Sequence, residues 1–98
     1  MTHLRTPTFL MANLGSEVSR LLDSKEKGDV TMVHKCLARA HVIVKQITDS
    51  PSMNARMEEI RMLNDVIDDV LREKRKYQVD SKSLRAYFYP FASRVLRS

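Results

Sequence analysis

Residues 21–33 read LLDSKEKGDVTMV. The apolar pair Leu21 and Leu22 runs into a charged stretch, Gly28 interrupts it, and Asp29 opens a new apolar pattern at Val30 and Val33. Glycine takes the left-handed conformation that closes a helix without a steric penalty. Aspartate at the next position accepts from the free N–H groups that begin a following helix. A connection this short leaves no room for a crossover, so the two flanking helices are expected to fold back as an antiparallel hairpin.

Upstream of the turn the spacing predicts a helix over about 8–27, with Thr6-Pro7 as its cap and first-turn proline. Leu10, Met11, Leu14, Val18, Leu21 and Leu22 fall within an arc of about 120° at the helical period. Downstream, Val30, Val33, Leu37, Ala40, Val44 and Ile47 predict a second helix over about 30–48. Met32, Cys36 and Ile43 widen its stripe to about 160°, so it should touch more than one neighbour.

Asp49-Ser50-Pro51-Ser52 reads as the next break. A third helix is predicted over about 53–76, buried through Met53, Met57, Ile60, Leu63, Ile67, Val70 and Leu71. Glu58, Arg61, Asp65, Asp68, Asp69 and Arg72 are assigned to its solvated face. After a short loop from Tyr77, Asp80 or Ser81 caps a fourth helix over about 81–97. Leu84, Tyr87, Phe88, Phe91 and Val95 share its core face, with a kink or break near Pro90 because proline removes a helical hydrogen bond. The expected fold is therefore an all-α, single-domain antiparallel bundle of about four helices, with residues 1–6 flexible. Two glycines and three prolines are too few for the turns of a sandwich or barrel.

The first two helices resemble a hairpin of the tetratricopeptide kind, through the Gly28-Asp29 turn and the small and apolar positions after it. That resemblance implies architecture alone. The Glu58-Glu59 pair with Asp65, Asp68 and Asp69 resembles the helix-borne carboxylates of all-α nucleotide pyrophosphatases. Met62 stands where a third acid would be needed, and no second acidic helix exists, so the acids are read as a solvated face. His34 and His41 lie two turns apart, too far to chelate one ion directly, and are read as boundary residues. No catalytic group, cofactor or metal is expected. One cysteine, Cys36, excludes an intramolecular disulfide and fits a reducing cytoplasm. No apolar run approaches a membrane span, and Phe9 to Met11 is too short for a signal-peptide core.

The net charge of +5 is carried at one end. Residues 1–71 hold nine Lys/Arg against ten Asp/Glu, while residues 72–98 hold eight against two, with five of the six aromatics. Two functions follow as expectations. The first is a non-enzymatic protein-interaction module, partnered by another protein or by a second copy as a homodimer. Its candidate interface residues are Ala12, Gly15, Ser19, Met32, Cys36, Ile43 and Asn64. Asn64 falls at the centre of the apolar arc of the third helix, where an amide can select a partner. The strip around Gly15 admits close approach of the fourth helix or a second subunit. The alternative is nucleic-acid or polyanion binding through Arg72, Lys74, Arg75, Lys76, Lys82, Arg85 and Tyr89, where an aromatic among cations suits base stacking and phosphate contact.

Overall fold

The computed structural model describes residues 6–50, 56–70 and 80–97, with the side chains of 95–97 left aside. Four helices and no strand occur among them: α1 Pro7–Lys27, α2 Val30–Thr48, α3 Met57–Asp69 and α4 Ser81–Arg97. The antiparallel all-α bundle is the architecture that the hydrophobic periodicity predicts. The expected ends of the third helix and the core positions Met53 and Leu71 lie outside the described residues, as does the Val95 side chain.

The starts of α1, α2 and α4 and the turn between α1 and α2 have a chemical cause, while α3 starts at Arg56 without a side-chain cap. The Thr6 hydroxyl accepts from the Phe9 N–H at 3.1 Å, and Pro7 fills the first helical position. Gly28 sits at φ 75°, and its N–H and that of Asp29 close onto the carbonyls of Lys25 and Ser24. Asp29 Oδ1 then accepts from the Met32 N–H at 3.1 Å. Asp80 does the same for Ser83 at 2.7 Å. The helix α4 is not broken at Pro90: helical structure continues through it to Arg97. Pro90 is exposed, so water can satisfy the carbonyl one turn earlier that its missing N–H leaves open.

The helix α1 is the centre of the packing. It lies against α2 on one side and α4 on the other, while α3 packs on α2. Met11, Leu14, Val18 and Leu21 are essentially inaccessible and meet Cys36, Ala40 and Ile47 of α2 and Phe88 of α4 in one continuous core. The α1–α4 contact is close because Gly15 has no side chain. A Cβ there would lie 2.6 Å from Phe88 Cβ and 2.8 Å from its Cγ. Arg85 ties the same pair of helices at the surface, donating to Ser19 Oγ at 2.6 Å and Asp23 Oδ1 at 2.7 Å.

Two buried faces differ from their expected positions. In α2 the buried line is Val33, Cys36, Ala40, Val44 and Ile47, so Leu37 is half-buried and Val30 is 65% exposed. Small residues at 36 and 40 let α1 approach that line, which leaves Leu37 at the edge of the core. In α3 the buried arc centres on Leu63 and Val70 and takes in Val66, which leaves Asn64 half-buried at its margin. Asp69, expected on the solvated face, is fully buried and is not without a partner. The neighbouring Val70 carbonyl, one of those left open at the end of a helix, accepts from the Lys25 ammonium of α1.

Candidate functional site

The bundle closes unevenly. The seams α1–α2, α1–α4 and α2–α3 are packed, but α3 and α4 do not lie against each other along their length. Their facing sides leave a groove of about 290 Å³. Met62, Leu63 and Val66 line it from α3, and Leu84, Tyr87 and Ser83 from α4. Met62 is 52% exposed, an unusual state for a long apolar side chain beside a buried Leu63. The cause lies in the sequence: α3 carries a second apolar row, Met62 and Val66, one helical turn apart and alongside its main stripe. Leu63 and Val66 belong to both the core and the groove wall, while Met62 stands exposed at the groove.

A polar clasp joins the two helices at one end of the groove. The Tyr87 hydroxyl donates to Glu59 Oε1. The Arg56 guanidinium grips the same carboxylate with two bonds of 3.0 and 2.7 Å. Arg56 also lies over the Phe91 ring, 5.6 Å from its centroid, and Tyr87 meets Phe88 edge-on with ring centroids 5.1 Å apart. Burial first, and then the bond to Glu59, push the Tyr87 hydroxyl from its ordinary 10.0 up to about 12. Hydrogen bonds from Arg56 and then Tyr87 hold the Glu59 carboxyl below its usual value. The Glu59 bond likewise raises the Arg56 guanidinium. The clasp therefore stays intact at neutral pH and fastens one end of a groove whose middle is apolar.

The residues singled out from sequence are scattered by the fold. Ala12, Gly15 and Ser19 lie against α4, so the small-residue strip is used within the chain. Cys36 is a free thiol at zero exposure, with Arg39 Nη2 at 3.5 Å from its sulfur, and it has no surface to offer a partner. Ile43 is half-buried against the core, and Met32 is 37% exposed. Asn64 makes no side-chain hydrogen bond among the described residues. Of the cationic set, Arg72, Lys74, Arg75 and Lys76 lie outside the described residues. Lys82 is exposed and Tyr89 is 72% exposed, but Arg85 is engaged with Ser19 and Asp23. His41 bonds Asp68 at 2.6 Å between α2 and α3.

Sequence reasoning missed Met62, Val66 and Glu59, and it placed Tyr87 on the core face without its groove role. The available signal was the pair Met62 and Val66, apolar and off the assigned stripe. Among the described residues no group of three or more His, Cys, Asp or Glu could hold a metal ion, and no helix is long and apolar enough to cross a membrane. Among the described residues, the fold and groove define an all-α bundle with an open seam between α3 and α4. The chain matches no protein-family model, no curated protein and no solved structure.

Proposed function

We propose that this chain is a non-enzymatic interaction module whose α3–α4 groove receives an apolar segment of a protein partner. The observation that carries the reading is the groove itself: an open apolar seam with Met62 half in solvent, beside a bundle whose other seams are packed. Methionine is flexible and polarizable, and it adapts to differently shaped partners. A second copy of the chain is one candidate occupant. A reducing, cytoplasmic setting suits the free thiol of Cys36. The test is photo-crosslinking from a benzophenone side chain placed at Met62 or, as control, at Val42, an exposed apolar residue of α2. The expected result is an adduct from position 62 that the Leu84→Glu variant suppresses. Equal adducts from both positions, or none from position 62, would refute the reading.

Polyanion binding is a second reading, favoured by the exposed Tyr89 on the helix that carries Lys82. With Arg85 engaged, it predicts weak binding to single-stranded nucleic acid that disappears between about 50 and 200 mM salt. Lys82→Glu should abolish that binding in a folded sample. Binding that survives the substitution would place the contact elsewhere.

A further inference from the structure

A second recess lies on the outer side of the α1–α2 pair, with a volume of about 430 Å³. Its floor is Glu17, a carboxylate only 8% exposed. Arg39 Nε donates to both oxygens of Glu17, at 3.1 and 2.9 Å. Arg20 Nη1 stands 3.5 Å from the same group. Two guanidinium groups thus share one carboxylate, which leaves the recess with a local excess of one positive charge. The carboxylate also orients Arg39, so a ligand need not order it on arrival.

The remaining donors of these arginines have little to bind. Among the described residues, Arg39 Nη2 meets only sulfur, Cys36 Sγ at 3.5 Å and Met32 Sδ at 4.0 Å, both weak acceptors. The Arg20 side chain is 65% exposed. The free edge of a guanidinium matches a planar or tetrahedral oxyanion through paired N–H donors. Asn13, Ser16 and Gln46 border the recess and make no side-chain hydrogen bond among the described residues. Val42, 60% exposed, adds an aliphatic wall. The volume falls within the roughly 300–1,000 Å³ of small-ligand sites. From this convergence we infer that the α1–α2 recess binds a small ligand bearing a carboxylate or phosphate oxyanion, held by Arg20 and Arg39. This site is independent of the α3–α4 groove.

Such an oxyanion could be free or carried on a peptide, and a titration followed by amide and side-chain NMR separates the two. The probes are inorganic phosphate, citrate, and an acetylated, amidated peptide with two glutamates between leucines. Each is compared with chloride at equal ionic strength. The expected result is a saturable shift of the Arg20, Arg39 and Gln46 signals by at least one probe. Response to the peptide alone would assign an acidic protein segment, and response to phosphate or citrate a free ion. Arg20→Gln, at an exposed position, should weaken the binding about tenfold. Arg39→Gln made together with Glu17→Gln, which avoids stranding a buried carboxylate, should abolish it. The inference is overturned if no probe gives residue-specific saturation, if chloride reproduces the shifts, or if Arg20→Gln leaves the affinity unchanged.

Discussion

Helices α1 and α3 share one core but are held in different ways. The helix α1 has a packed neighbour on each side, two capped ends and a glycine that admits the aromatic ring of α4. The helix α3 packs mainly on α2, reaches α4 through the clasp at Glu59, and turns Met62 to solvent. A surface closed on all sides stabilises the fold, whereas one left open along a seam is available to bind. The contrast also places the features that suggested self-association. The small-residue strip of α1 meets Phe88, and the wide stripe of α2 meets both α1 and α3. Both are used inside one chain.

The largest expected effect is on the closed side. Phe88→Ala removes the ring that fills the α1–α4 contact and should destabilise the chain by about 3–5 kcal/mol in urea unfolding. In the α2–α3 layer, Ile67→Ala, at a fully buried site, should cost about 2–5 kcal/mol. Leu37→Ala should cost clearly less, because that side chain is only partly buried at the edge of the core. Equal losses at these two positions would show that Leu37 is as fully packed as Ile67. Gly15→Ala comes next. The gain in helix propensity is about 1 kcal/mol, but the new methyl would press on Phe88 Cβ, an atom fixed to the α4 backbone. Overpacking of this kind costs about 1–3 kcal/mol, so the net change should be destabilising. A stabilised Gly15→Ala variant would mean that α4 can move away from α1.

The smallest effect belongs to the clasp, and its sign depends on pH. Glu59 titrates below its usual value in the folded chain, so its contribution is complete above the unfolded carboxyl value and is lost as acid protonates it. Tyr87 is shifted the other way. Its contribution is complete below about 10 and is lost as pH rises toward about 12. Tyr87→Phe should therefore cost about 0.5–1.5 kcal/mol at neutral pH, toward the low end because the bond is partly solvated. It should also flatten the alkaline edge of the stability profile. An unchanged alkaline edge in that variant would contradict the clasp.

The fold was legible because three of the described helices carry their own punctuation. Thr6-Pro7, Gly28-Asp29 and Asp80 act through local backbone chemistry, which needs no knowledge of neighbours. The rotation of α2 and α3 about their own axes was less legible, because both carry apolar stripes wider than one contact. Whether Leu37 or Cys36 leads depends on how closely α1 can approach α2, and the spacing within α2 alone does not report that. The groove was hidden for a related reason. Met62 and Val66 are visible as apolar residues, but only the packing shows that α4 stands off from them. The Glu17–Arg39 pair joins residues on two helices, and no spacing rule within one helix reports it.

Native-state hydrogen exchange tests the uneven packing most directly, since it reads the opening free energy of each helix separately. The amides of Leu14, Leu21 and Ala40 should exchange only through global unfolding, with the full urea dependence. Those of Leu63 and Val66 should exchange through a smaller opening of lower free energy, and Tyr87→Phe should lower it further. Opening free energies in α3 equal to those in α1, and unmoved by Tyr87→Phe, would contradict the account.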